Sequence, residues 1–252
     1  MANDVLLRNT VPEPVAYESA AALNQGEAGV DEELAQDVVA APVTESESMP
    51  QDAVIPAAYN LAIPFQSQAP HANWDLPYGE ACEEASLIMA DRFFKGESLG
   101  PEEMDAEILR VVDWEKETFG YYEDTKAAEV VVMAREYFGL NATLDYDVSV
   151  ANIKSHLAAN KAVVVPAAGR MLKNPYFSGE GPVYHMLVIR GYTDTHFIAN
   201  DPGTKRGGSF LYAYDVLIDA IHDWPLAQGG DQNHISEEQM EAGTPVLIVL
   251  DR

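Results

Sequence analysis

The sequence predicts an α+β fold with helices first and a largely antiparallel sheet second. Three observations carry that reading. Apolar residues recur at helical spacing through the stretch Glu83 to Asn160, the pattern changes after Lys161 to short runs rich in valine and isoleucine, and glycine or proline marks most boundaries. With 252 residues, 47% of them hydrophobic, the chain can bury one sizeable core or two small ones.

The first segment, residues 1–58, is set apart by charge. It holds eleven acidic side chains against Arg8 alone, many Ala and Val, several Pro, and Tyr17 as its aromatic residue. Burial in such a segment does not offset the entropy of ordering it, so it reads as a disordered acidic arm, with a short helix around Asp31 to Ala40 as a weak alternative. From Tyr59 aromatics appear regularly and turn residues punctuate apolar runs, so residues 59–252 read as one folded domain.

Within that domain Glu83 to Phe94 reads as a helix, because Ala85, Ile88, Met89 and Phe93 share a face and Gly96 can end it. Pro101 with Glu102 and Glu103 suits a first turn, which predicts a helix over Pro101 to Thr118; Thr125 to Phe138 gives another, stopped by Gly139, and Val150 to Asn160 a shorter fourth. Strands follow at Ala162 to Pro166, Tyr184 to Tyr192, Phe197 to Asn200 and Gly207 to Tyr214. Asp215 to Trp224 reads as a helix and Pro245 to Leu250 as a closing strand.

Composition narrows the function classes. Fifteen Lys and Arg against 41 Asp and Glu leave a net charge of -26, a surface that repels phosphate backbones and anionic membranes. No apolar window is long enough to span a bilayer, and the first ten residues lack the blocks of a secretory signal, so the cytoplasm is the default location with export by another route left open. A single cysteine forms no internal disulfide.

That cysteine, Cys82, lies just before or within the first turn of a predicted helix. The free N–H groups and dipole there favour a thiolate, the nucleophilic form, although a lone cysteine equally suits a small buried hydrophobe. Glu83 and Glu84 oppose ionisation unless they point away, and a histidine partner is needed to outweigh them. His185 opens an apolar strand after a glycine-bearing loop, a place for a general base or for a structural histidine. Asp201 follows a strand in Asn200-Asp201-Pro202-Gly203, which is also plain turn chemistry. Each signal is weak alone, but a nucleophile at a helix start, a base at the head of one strand and a carboxylate at the end of the next form the constellation of a Cys-His-Asp triad. Trp74, Tyr176 and Phe177 fit either a groove wall or the edge of the core. The remaining histidines show no metal spacing, and neither a metal nor a cofactor is called for.

The segments Ile63-Pro64-Phe65-Gln66-Ser67-Gln68, Asn73-Trp74-Asp75, Glu80 to Ser86, Tyr184 to Tyr192 and Asn200 to Thr204 together resemble the stand-alone relatives of the bacteriocin leader-processing (double-glycine) cysteine peptidases, over about Asn60 to Leu250. The resemblance implies a papain-like fold and cleavage of peptide bonds in a peptide or protein substrate. It matches Cys82 to the nucleophile, His185 to the general base, Asp201 to the carboxylate that orients the imidazole, and Gln68 to the oxyanion-hole glutamine, with Gln66 as the competing position. The chain departs from the leader-processing members in the longer spacing from Gln68 to Cys82 and in Glu83, which stands where they have glycine. Those members are fused to a membrane exporter and an ATPase; here neither a membrane span nor a phosphate-binding loop is seen. Two alternatives stay open beside the hydrolase: a catalytically silent peptide-binding module, and an acyl transferase or isopeptidase on the same scaffold.

Overall fold

The computed structural model describes residues 11–17, 55–227, 229 and 235–252. Most of the acidic arm, including the Asp31 to Ala40 segment, lies outside the described residues. Seven strands form one sheet: β1 (Tyr59–Asn60), β2 (Asn141–Asp145), β3 (Ala162–Ala168), β4 (Tyr184–Tyr192), β5 (His196–Asn200), β6 (Phe210–Ala213) and β7 (Leu247–Asp251). Its order is β2-β7-β3-β4-β5-β6, with β1 added to β4, and every pairing is antiparallel. The described helices are α1 (Cys82–Lys95), α2 (Pro101–Thr118), α3 (Ala127–Glu136), α4 (Val150–Ala158), α5 (Tyr214–Ala220) and α6 (Glu237–Glu241). None of them is long and apolar enough to cross a membrane.

Strands β3 and β4 are buried along their whole lengths. Since successive side chains point to opposite faces, the centre of the sheet is covered on both sides. Helix α1 packs on β4 and α2, α3 packs on β2 and β7, and α4 on β3 and β4. Gly96 at φ 66° closes α1 in the left-handed conformation, with its N–H on the Phe93 carbonyl. Pro101 opens α2, and the Ser149 hydroxyl caps α4 by accepting from the Asn152 N–H. A bulge at Arg190 lets β1 join the end of β4. There a Cβ on Gly191 would stand 2.3 Å from the Tyr59 carbonyl oxygen, so glycine permits the approach.

Residues 11–17 correct one expectation. Read as part of an arm without contacts, they instead lie against the domain: the Val15 N–H donates to the Asn60 carbonyl and the Ala62 N–H to the Val15 carbonyl, each at 2.7 Å. Tyr17 meets Phe93 and Phe94 edge-on, at centroid distances of 5.6 and 5.0 Å. Two apolar side chains and a run of backbone bonds suffice to dock this stretch, which the acidic average composition of the segment conceals. Strand β2 and helix α6 also went unanticipated, and the helix expected over Asp215 to Trp224 ends at Ala220.

Candidate active site

The antiparallel pairing of β4 with β5 sets Val188 opposite Asn200, so the head of β4 and the tail of β5 share one end of the sheet. His185 is the second residue of β4 and Asp201 the first beyond β5. Their side chains meet there, His185 Nε2 lying 2.8 Å from Asp201 Oδ1. Both are buried. The backbone N–H of Gly203 also donates to Oδ1 at 3.0 Å, while Oδ2 accepts from the Tyr212 hydroxyl at 2.6 Å and from Asn174 Nδ2 at 2.9 Å. Burial by itself pushes the Asp201 carboxyl up; the neighbouring His185 ring and the bonds from His185, Tyr212 and Asn174 outweigh it and hold the group below its ordinary value. An ionised Asp201 only accepts, so His185 Nε2 carries the proton and the other ring nitrogen, Nδ1, is left for a second partner.

Packing fixes the imidazole as well. Phe177 stands edge-on to it at 5.3 Å, and a Cβ on Gly203 would lie 2.8 Å from its Cε1 carbon. The Asp-Pro-Gly turn therefore also provides the close approach that holds the ring.

Cys82 is the first residue of α1, and no hydrogen bond is made by its own backbone N–H among the described residues. Helix α1 brings it to a cleft of about 610 Å³ that His185 and Gln68 also line. Trp74, Tyr176 and Phe177 form apolar parts of that wall, and Trp74 is 44% exposed, which makes it groove rather than core. The structure thus gathers Cys82, His185 and Gln68 around one cleft with Asp201 directly behind the histidine. Gln66 is absent from the lining; its side-chain oxygen accepts from the Ser67 N–H. Gln68 donates from Nε2 to the carbonyls of Tyr78 at 2.9 Å and Gly79 at 3.1 Å, which engages both amide hydrogens.

The surroundings of Cys82 favour the protonated thiol. Its thiol donates to Glu83 Oε2 at 2.9 Å, so Glu83 does not point away. Burial first, and the Glu83 charge second, push the thiol well above its usual value. Glu83, Glu84 and Glu115 are fully buried and form no ion pair among the described residues. Burial raises all three: Glu84 to about 7, Glu83 with further contributions from Glu84 and Asp124, and Glu115 with a further contribution from Glu84.

Sequence reasoning missed Asn174 and Tyr212. Tyr212 alternates with Phe210 along β6, which marks the strand but not the hydroxyl's partner; Asn174 precedes Pro175 in a turn, with no signal that it faces Asp201.

Among curated proteins, none matches the chain. A solved structure of a candidate C39-like peptidase from Bacillus anthracis is similar to it, with 15% identity, 76% of this chain and 96% of that chain covered, and a TM-score of 0.45. The model of the Peptidase C39-like family matches residues 60–229, a span that takes in α1 with Cys82, β4 with His185 and the turn carrying Asp201. A cysteine-bearing helix packed on an antiparallel sheet that presents histidine and aspartate is the papain-like arrangement of an α+β peptidase. The chain belongs to the Peptidase C39-like family.

Proposed function

We propose that the protein is a thiol hydrolase that cleaves peptide bonds through Cys82, His185 and Asp201. The observation that carries this reading is the buried 2.8 Å pair of His185 and Asp201 beside the cleft that Cys82 lines at the start of α1. The thiol first turns from Glu83 toward His185 and passes its proton to Nδ1. The sulfur then attacks the substrate carbonyl, and the backbone N–H of Cys82 with one Gln68 N–H, released from its carbonyl, binds the oxyanion. The imidazolium returns the proton to the leaving amine, leaving a thioester. Water, deprotonated by His185, attacks that thioester; the acid product leaves and the thiol is restored. Asp201 orients the ring and stabilises its charged form throughout.

The test is turnover of a quenched-fluorescence peptide library between about pH 5 and about pH 8. Expected are cleavage by the native chain and loss of it in both Cys82→Ala and His185→Ala. No cleavage anywhere in that range overturns the proposal. Added amine that diverts product to an amide instead identifies an acyl transferase on the same thioester.

The raised thiol favours a second reading, a peptide-binding module whose cysteine stays protonated. Alkylation separates the two, because a thiol that reacts only above about pH 9 while folded is not a nucleophile at working pH.

A further inference from the structure

Two cations stand at the mouth of the cleft in a chain whose charge is overwhelmingly negative. Lys205 and Arg206 are exposed, both line the cleft, and neither forms an ion pair among the described residues. Among the described lysines and arginines these two line the cleft, whereas Arg92, Lys95, Arg110, Lys161 and Arg170 pair with carboxylates elsewhere.

The pair is held in place by a closed turn. Asp201 donates its N–H to the Gly207 carbonyl at 3.1 Å, Gly207 to the Thr204 carbonyl at 3.3 Å, and Arg206 to the Thr204 hydroxyl at 3.2 Å. A Cβ on Gly207 would come within 1.8 Å of the Asp201 carbonyl oxygen, so the turn closes only with glycine there. The Arg206 guanidinium lies 4.9 Å from the Tyr176 ring centre, which sets the cation beside the aromatic wall. This is the turn that carries Asp201 and packs Gly203 on His185, so the charges are tied to the same rigid element as the proposed catalytic pair. Glu80, the acidic residue of the lining, belongs to the segment before α1 instead.

We infer that Lys205 and Arg206 form a subsite for an acidic side chain of a peptide bound in this cleft, with an apolar neighbour of that residue resting on Trp74 and Tyr176. The inference rests on the reading of the cleft as a peptide-cleaving site. Charge complementarity argues for this occupant: a net charge of -26 repels an acidic peptide across most of the surface, and two unneutralised cations at a cleft attract and orient it at one place.

The test measures binding and turnover separately. Short fluorescent peptides, each with one Glu walked along an Ala and Leu background, are titrated against Cys82→Ala at low salt, beside isosteres carrying Gln. The expected result is a five- to tenfold advantage for Glu at one position, about what two exposed ion pairs supply, shrinking as salt is added. It should vanish in Lys205→Ala with Arg206→Ala and persist in Lys205→Arg. Equal affinity for Glu and Gln, a preference that survives loss of both cations, or no binding at all overturns the inference. The native chain is then assayed for cleavage of the same peptides. A Glu preference in binding without cleavage leaves the subsite standing and removes the hydrolase, whereas cleavage without the preference does the reverse.

Discussion

The Cys82 thiol hands its hydrogen to the carboxylate of the next residue, Glu83, at 2.9 Å, and not to the imidazole that shares its cleft. Helix geometry sends adjacent side chains in different directions, so this contact needs both side chains turned into the buried space at the start of α1. With Glu84, Asp124 and Tyr184 as its other neighbours there, Glu83 has acidic or neutral company only. Glu83→Gln keeps the shape and removes the group that becomes charged once Glu83 ionises. Alkylation of Cys82 by a small reagent should then move to lower pH, while His185→Ala should move it to higher pH. An unchanged profile in Glu83→Gln would show that burial alone keeps the thiol protonated.

The buried carboxyls also set how stability depends on pH. An unfolded glutamate titrates near about 4.3, whereas folded Glu84 titrates near about 7 and Glu83 and Glu115 well above the usual value. Between these values the folded state holds more protons than the unfolded one, so stability is full in mild acid and falls as pH rises through the folded values. Asp201 has the opposite sign: its depressed value gives stability that is present at neutral pH and lost as pH falls below the ordinary carboxylate range. The melting temperature should therefore be highest near about pH 5 and lower at about pH 8. Glu115→Gln should flatten that fall, raising the melting point at the higher pH with little effect at the lower. Asp113→Asn, which removes an exposed charge from the same helix, serves as the control and should leave the slope nearly unchanged.

Two neutral groups, Tyr212 and Asn174, converge on one oxygen of Asp201. Tyr212→Phe keeps the ring and removes the donor, leaving a buried charged acceptor less satisfied at a cost of about 1–3 kcal/mol. The Asp201 carboxyl should rise, so the acid limb of any pH–activity profile should shift to higher pH while turnover on the plateau changes little. Asp201→Asn, by contrast, should lower turnover across the whole profile because the ring loses its charged partner. A Tyr212→Phe profile that drops uniformly without moving its acid limb would assign Tyr212 to packing only.

Gln68 spends both amide hydrogens on the Tyr78 and Gly79 carbonyls, just ahead of Cys82. If one is released to the oxyanion only as charge develops, Gln68→Ala should lower kcat by about 100-fold and barely alter KM. A change confined to KM would instead show that the residue only braces the segment before α1.

How much of this was legible in the chain follows from where each residue's partner lies. Helix α2 and strand β4 fall on their expected limits because local signals set them, Pro101 with two acidic residues for one and the apolar run Met186 to Ile189 flanked by Tyr184 and Tyr192 for the other. Cys82, His185 and Asp201 were nameable because each sits at an element boundary with its own local cue. Strand β2 was not, since Asn141 to Asp145 alternates only weakly and owes its state to pairing with β7, about a hundred residues away. Asn174 and Tyr212 were invisible for the same reason, as their role exists only where β6 and the turn after β3 close on Asp201. The direction taken by the Glu83 side chain is a packing outcome that no spacing encodes.

The N-terminal contact gives the last prediction. Composition alone makes removal of the first residues harmless, yet Tyr17 packs on Phe93 and Phe94 at the end of α1 and donates from its hydroxyl to the Arg252 carbonyl at 2.6 Å. Two edge-on aromatic contacts contribute about 0.5–1.5 kcal/mol each beyond burial, and the exposed hydroxyl bond adds less. Tyr17→Ala should thus lower stability by about 1–3 kcal/mol, while Tyr17→Phe, which keeps the ring, should recover most of it. Urea unfolding read at Trp fluorescence measures both, and an unchanged slope with a lower midpoint would place the loss in stability itself. Because α1 also carries Cys82 at its other end, alkylation of the same variants tells whether the contact only staples the chain or also holds the helix start in place. A midpoint shift with an unchanged alkylation rate is expected, since Cys82 and the Phe93–Phe94 pair lie at opposite ends of a 14-residue helix that packs on β4. If Tyr17→Ala leaves the midpoint where it was, residues 11–17 are held by their backbone bonds to Asn60 and Ala62 alone.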